Sequence, residues 1–235
     1  MRALIVSMLS ALALVQIESG PPARQVRLDT KVEAWSASQA ALSYLIEVGA
    51  RNKLPLGIVI EGNSLCTNQL VTTGRESTVT DLVSKVDMQI PGYTGEIQDG
   101  VLFIHPRVMK SATLSTLNLI IPVFATSTSS FDQVGVRLWI YIRAILVPKE
   151  GSGFTGGVRS ATDSVSPFEV SNATVRTILD MIATKGQGGL WAIHEVPPDW
   201  LERPSTIPFE IYGYSDGARS LNSLSCTLPF TPFER

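Results

Sequence analysis

The sequence predicts an α+β fold: two small sheets, each covered by helices. Stretches with apolar residues at i, i+3, i+4 and i+7 alternate along the chain with short apolar runs bounded by glycine and proline. A phrase of cap, helix, turn and strand also occurs twice, at residues 77–106 and 171–197. The chain therefore predicts a repeated β-α-β-type module.

The first residues have the features of a secretory signal peptide. Arg2 precedes the apolar run ALIVSMLSALALV, which is too short to form a permanent membrane span. Ala11-Leu12-Ala13 has the small-x-small form that signal peptidase recognises, and Glu18-Ser19-Gly20 is a later option. We expect residues 1–20 to be a signal peptide and the mature protein to be periplasmic or extracellular, without a stable membrane span. A buried N-terminal helix is the alternative.

The charge and cysteine content exclude several kinds of partner and cofactor. With 19 basic and 21 acidic residues the net charge is −2, which gives no general attraction to nucleic acid. Cys66 and Cys226 can form one disulfide in an oxidising compartment, or they can be two buried thiols. Two cysteines and two histidines without ligand spacing predict no zinc site. No cofactor is expected.

A first module is predicted at residues 31–108. It contains a strand at 32–35, a helix capped by Ser36 or Ser38 that runs to about residue 50, and strands at 56–60 and 68–73. Ser77 or Thr78 then caps a second helix, whose inner stripe is Val79, Leu82, Val83 and Val86. The module ends in a hairpin around an Asp99-Gly100 turn.

A second, diverged module is predicted at residues 113–214. Residues 113–124 are expected to form a strand. Residues 125–130 are a Ser/Thr-rich cap region for a buried helix at 131–147, although WIYIRAILV (139–147) also suits a strand. A Gly-rich loop follows at 148–167. A strand at 168–170, the second copy of the repeated phrase and a closing strand at 207–214 complete the module, and residues 215–235 form an irregular tail.

Alignment of the two copies places His105 and His194 at matching strand ends. We interpret them as strand-end residues that face solvent, since no acid cluster flanks both, and a paired site is the less favoured alternative. The residues considered for a surface or loop site are His105, His194, Phe154 and Trp191. Asp180 is expected on the solvent face of its helix.

The first module resembles the short N-terminal domain of secretins and TonB-dependent proteins, the secretin N0 and N1 type. The similarity is carried by ALSYLIEVGARNKLPLGIVI (41–60) and by STVTDLV and DGVLFIHP further on, with an echo at 168–195. The resemblance implies a helix that leads into a short buried strand, and a capped helix that leads into a strand after a glycine turn. It also implies a periplasmic, protein-binding role.

No sequence motif for catalysis is present: the chain lacks a Gly-x-Ser-x-Gly elbow, a His-Glu-x-x-His helix and a P-loop. The leading hypothesis is an exported, non-enzymatic protein-interaction module that binds envelope proteins by pairing at strand edges. A small-ligand-binding protein or hydrolase with a site under the 149–167 loop is the alternative. A third hypothesis is that the protein is a purely structural part of an envelope complex.

Overall fold

A computed structural model describes residues 25–33, 37–72, 76–147, 163–186, 188–196, 198–199, 201–202 and 208–214. The predicted signal peptide, the C-terminal tail and most of the Gly-rich loop lie outside these residues. Six described helices are α1 (Ala41–Asn52), α2 (Ser64–Thr67), α3 (Val79–Gln89), α4 (Ser111–Leu117), α5 (Phe131–Leu146) and α6 (Val175–Lys185). None of them is both long and apolar enough to cross a membrane.

Thirteen strands accompany these helices in the described part of the chain. In the first half they are β1 (Lys31–Glu33), β2 (Ala37–Ala40), β3 (Leu56–Ile60), β4 (Gln69–Thr72), β5 (Glu76–Thr78), β6 (Tyr93–Gln98) and β7 (Val101–Pro106). In the second half they are β8 (Ile120–Thr126), β9 (Ser129–Ser130), β10 (Ser164–Val165), β11 (Phe168–Thr174), β12 (Gly189–His194) and β13 (Phe209–Gly213). The α+β prediction is confirmed.

A five-stranded sheet with the order β13-β12-β3-β7-β6 organises the molecule. Its three central strands are parallel, and β13 and β6 are antiparallel to their neighbours at the two edges. All five residues of β3 are buried, as expected for a central strand covered on both faces. The two predicted modules therefore share one sheet, because β3 of the first module needs β12 of the second as its other neighbour.

The first face of the sheet is covered by α1 and α3. These helices pack between the sheet and two antiparallel ribbons, β1-β5 and β2-β4. The core they enclose is formed by apolar side chains from all of these layers, including Val32, Leu45, Ile58, Leu70, Val86, Ile104 and Leu190. Burial of this apolar surface is the main stabilising contribution on this side.

The second face is covered by α4, α5 and α6 and by the β8-β11 ribbon. Its core contains Val59, Phe103, Phe124, Phe131, Leu138, Ile178, Trp191 and Ile211. Alternate residues of β3, β7 and β12 point to the two faces, so the same strands supply both cores. Each predicted module thus contributes side chains to both layers.

Several predicted elements are confirmed with their caps. Thr78 caps α3 and forms a capping box with Asp81, and Ser130 forms the corresponding box with Gln133 at the start of α5. The structure therefore settles residues 131–146 as helix rather than strand. Asp99 and Gly100 both have positive φ, 52° and 79°, as the tight β6-β7 hairpin requires.

Two predicted elements differ from the structure. Residues 113–124 were expected as one strand, but α4 precedes β8 there; Thr113, Thr116 and Leu117 are buried at i, i+3 and i+4, which is the helical period. Ser38 is not a helix cap, because it lies in β2 and its hydroxyl donates to Gln69 Oε1 at 2.7 Å. No side chain caps α1.

Candidate functional site

The two histidines do not occupy matching places in the sheet. In the sheet, Leu190 of β12 and Leu102 of β7 both pair with Leu56 of β3, so Trp191 and Phe103 occupy equivalent positions. The sequence alignment, which matched His194 with His105, is therefore shifted by one residue from the register in the structure. A shift of one residue turns a side chain to the other face of a strand. His105 therefore lies on the second face and His194 on the first, and they form no paired site.

Both histidine side chains are mostly buried, contrary to the expectation that they face solvent. His105 is 14% exposed and its ring stacks on Phe103 with 4.5 Å between centroids. His194 is 24% exposed, and its Nε2 lies 3.4 Å from Glu210 Oε1 on the neighbouring strand β13. Each histidine is held by neighbours in the sheet.

Trp191 lies in the interior, so it belongs to no surface site. Its side chain has no exposed surface and extends across Gly57 of β3, where an added methyl group would overlap the indole ring. The absence of a side chain at residue 57 thus provides the space for the indole. Phe154 and Cys226 lie outside the described residues. Cys66 packs half-buried against the first core, and its disulfide with Cys226 stays a prediction.

Asp180 is buried, although the sequence predicted a solvent-facing position. Its side chain is only 2% exposed, and its Oδ1 accepts a hydrogen bond of 2.8 Å from Trp191 Nε1. Burial raises the pKa of Asp180 to about 7, while Arg176 and the Trp191 hydrogen bond act in the opposite direction. The carboxyl group is therefore poised between its charged and neutral forms near neutral pH.

Arg176 lies one turn before Asp180 on α6. Its guanidinium carbon is 3.7 Å from the centroid of the Phe103 ring, within the range of a cation–π contact, and its Nε is 3.6 Å from Asp180 Oδ2. Burial lowers the pKa of Arg176, and the nearby carboxylates of Asp180 and Glu96 oppose that shift. Arg176 thus places a positive charge between the helix and β7.

Glu96 brings the group of charges to the surface. It lies on β6 directly opposite Phe103, and its Oε1 is 3.7 Å from His105 Nε2 and 3.8 Å from Arg176 Nη2. These separations are ion-pair distances and exceed those of hydrogen bonds. Because Glu96 is 52% exposed, the group extends from the interior to the sheet edge. We call Glu96, His105, Arg176 and Asp180 the edge cluster.

Among the described residues, the outer edge of strand β6 is open for pairing except at the turn, where the Val26 main-chain N–H donates to the Gly100 carbonyl at 2.8 Å. Because the hairpin turn has two residues, Asp99 and Gly100, the residues of β6 that form main-chain hydrogen bonds with β7 are Gln98, Glu96 and Thr94. The main-chain groups of Gly95 and Ile97 therefore point away from β7. In the part of the chain that the structure describes, β6 pairs with β7 alone. An unpaired row of main-chain donors and acceptors is what an added strand binds.

The opposite edge strand, β13, has more of its side-chain surface covered. Asp163 lies against Gly213 at the end of β13, and α5 packs on the same strand. Phe209, Ile211 and Gly213 are buried in alternation, whereas β6 has only Tyr93 buried. Strand β6 is therefore the edge strand with fewer buried side chains.

The carboxyl ends of the parallel strands, where ligands often bind in α/β sheets, are crossed by the chain itself. The Lys110 main-chain N–H donates to the Glu61 carboxylate at 3.0 Å, and the Lys110 ammonium pairs with Glu195. Tyr93 donates to the Glu61 carbonyl, and burial raises the pKa of the phenol to about 12. These contacts hold residues 107–110 across the ends of β3, β7 and β12.

Sequence reasoning missed Asp180, Arg176 and Glu96. A signal for Asp180 was present, because Ile178-Leu179 and Met181-Ile182-Ala183 make the helix apolar on both sides of the carboxylate. No such signal marks Arg176 or Glu96, since their proximity depends on the pairing of β6 with β7 under α6. Within the described ranges, no three His, Cys, Asp or Glu side chains are grouped to hold a metal ion.

Comparison of the chain with protein-family models, with curated proteins and with solved structures finds no match.

Proposed function

We propose that this protein is an exported, non-enzymatic interaction module that binds an extended segment of an envelope protein at the β6 edge. The observation that carries the proposal is the edge itself: a six-residue strand, paired on one side, whose Gly95 and Ile97 main-chain groups point outward. Addition of a strand there forms main-chain hydrogen bonds without any rearrangement of the sheet.

The resemblance of the first module to secretin and TonB short N-terminal domains supports this proposal. Helix α1 leads into the buried strand β3, and the capped helix α3 leads into β6 after the turn at Gly92, which has φ of 80°. These are the features on which the resemblance rests. The apolar N-terminal run supports export, which places the edge in the envelope.

The proposal is tested by blocking the edge without removing the strand. Ile97→Pro removes an outward N–H and adds a ring on the side away from β7, a position that proline tolerates in an edge strand. The tagged full chain is used to capture proteins from envelope fractions of its own source. We expect wild type to retain a defined partner and Ile97→Pro to lose it.

Ile97→Ala is the matched control, because it loses the same half-buried side chain and keeps the N–H. Circular dichroism and thermal unfolding establish that each variant is folded. Retention of the partner by Ile97→Pro, or its loss from Ile97→Ala to the same extent, would refute binding through main-chain pairing at β6.

A further inference from the structure

We propose that the β6 edge selects an extended segment that carries a lysine or arginine opposite Glu96, and that Arg176 positions Glu96 for this contact. The inference rests on the proposed function, since it concerns the partner that the same edge would bind. It is carried by the geometry of the edge cluster and by the charges that surround it.

The position of Glu96 in the ladder favours a side-chain contact with an added strand. The main-chain groups of Glu96 face β7, so an antiparallel strand on the other side would meet it in a non-hydrogen-bonded pair. The Cα atoms of such a pair are only about 4.5 Å apart, closer than in the hydrogen-bonded pair. The residue opposite Glu96 therefore has the closest cross-strand contact on this face.

The charge at this edge is negative. Glu96 is the only charged residue of β6, and Asp99 follows it in the turn. Arg176 is the cation closest to Glu96, and it also faces the carboxyl group of Asp180. A basic residue opposite Glu96 would thus be attracted, whereas a glutamate would meet a like charge directly across the ladder.

Arg176 lies at ion-pair distance from one oxygen of Glu96, and the carboxylate stays half exposed. Oε1 lies between Arg176 Nη2 and His105 Nε2, both of which are buried and have no hydrogen-bond partner among the described residues. The guanidinium of Arg176 also packs on the ring of Phe103. A carboxylate held in this way loses less side-chain entropy when it binds a partner, which increases affinity and selectivity.

Protection of the edge is the competing explanation for Glu96. Proteins place charged residues on exposed edge strands to prevent pairing with other chains. Under that explanation a neutral residue at position 96 would increase the binding of every extended segment. Under the proposal it would remove the preference for a basic residue. The two explanations therefore differ in a measurable ratio of affinities.

The test uses synthetic peptides of alternating threonine and valine that differ only at the central residue, which is lysine, glutamine or glutamate. Each is titrated into the 15N-labelled full chain, and the amide signals of Gly95 and Ile97 report pairing at the edge. We expect the lysine peptide to bind about tenfold more tightly than the glutamate peptide. The lysine forms an attractive pair with Glu96 across the ladder, whereas the glutamate meets a like charge there. Glu96→Lys is expected to reverse this order.

Arg176→Gln tests the positioning role. We expect it to reduce the lysine-to-glutamate affinity ratio and Arg176→Lys to restore part of that ratio, whereas loss of stability alone would leave the ratio unchanged. A larger ratio in Arg176→Gln would show that the guanidinium only offsets the negative charge of Glu96, and it would overturn the positioning role. Asp87→Lys, on α3 and outside the edge cluster, is the matched charge control and should keep the wild-type order.

The outcomes separate the two proposals. Equal affinities for the three peptides, or tighter binding of all three by Glu96→Gln, would overturn the selection of a basic residue and leave pairing at the edge intact. If none of the peptides shifts the Gly95 and Ile97 signals, both the inference and the proposed function fail.

Discussion

Helices α3 and α6 begin with the same sequence pattern and differ in how much of their surface is buried. Both start at a threonine cap, Thr78 and Thr174, followed by valine and an apolar stripe. The buried residues of α3 are Val79, Leu82 and Val86. Those of α6 are Val175, Ile178, Leu179, Asp180, Ile182, Ala183 and Thr184.

The neighbours of each helix account for the difference. α3 lies near the edge of the sheet, against β6 and the ribbon strands β4 and β5. α6 lies over the central strands and is covered from outside by α4, β8, β10 and β11. Because α6 has neighbours on more than one side, positions that would be exposed on a helix packed on one side only are buried. On α6, Asp180 is buried beside Trp191 and Arg176, whereas Asp87 of α3 stays at the surface.

The largest expected effect in this comparison is at Trp191, the residue below α6. Trp191→Ala removes a fully buried ring and should lower the free energy of unfolding by about 3–5 kcal/mol. Trp191→Phe keeps most of the ring but leaves Asp180 without its N–H donor, so we expect a smaller loss of about 1–3 kcal/mol. Urea unfolding measures both. A Trp191→Phe variant as stable as wild type would show that the hydrogen bond contributes nothing, and equal losses would show that the ring retained in Trp191→Phe contributes nothing.

Removal of the two helix aspartates should separate the buried position from the exposed one. Asp180→Ala leaves the Trp191 N–H and Arg176 without their acceptor, and we expect a loss of about 1–3 kcal/mol. Asp87→Ala breaks only a surface pair with Arg107, at 3.1 Å, and should cost less than about 1 kcal/mol. Comparable losses in urea unfolding would contradict the contrast between the helices.

The same contrast predicts opposite pH dependences. The folded-state pKa of Asp180 is raised from 3.8 to about 7, so its contribution to stability is full below pH 3.8 and is lost as the pH rises towards 7. Hydrogen bonds from Thr78 lower the pKa of Asp81, so its contribution is present above pH 3.8 and lost as the pH falls.

Unfolding at a series of pH values from 3 to 8 measures both dependences. Asp180→Asn should remove the decrease in stability between about pH 4 and 7, and Asp81→Asn should remove part of the decrease at acid pH. The two variants are matched, since each keeps the size of its side chain. An Asp180→Asn profile parallel to that of wild type would show that Asp180 titrates as it does in the unfolded chain.

The smallest expected difference between the two helices is at their caps, where they should behave alike. Thr78→Ala and Thr174→Ala each remove a side-chain oxygen that accepts from a main-chain N–H in the first turn. Each should cost about 1 kcal/mol, because a cap depends on local geometry rather than on the layers around the helix. Thr80→Ser, in the first turn of α3, is a control for the loss of a methyl group alone. A difference of more than about 1 kcal/mol between the two caps in thermal unfolding would contradict this equivalence.

The sequence by itself determined the local structure. The caps at Thr78 and Ser130, the stripes of the longer helices, the buried run of β3 and the Asp99-Gly100 turn all follow from short-range patterns. These features depend on residues within one or two turns of one another, so a single sequence is enough to predict them.

Only the tertiary structure decided which strands pair and which helix lies on which face. The pairing of β12 with β3 joins residues more than 130 positions apart and sets the register that separates His105 from His194. Packing of α6 on β12 and β7 brings Asp180 to Trp191 and Arg176 to Phe103, and the pairing of β6 with β7 brings Glu96 to them. Long-range packing made this choice, because several arrangements satisfy the same local amphipathic pattern.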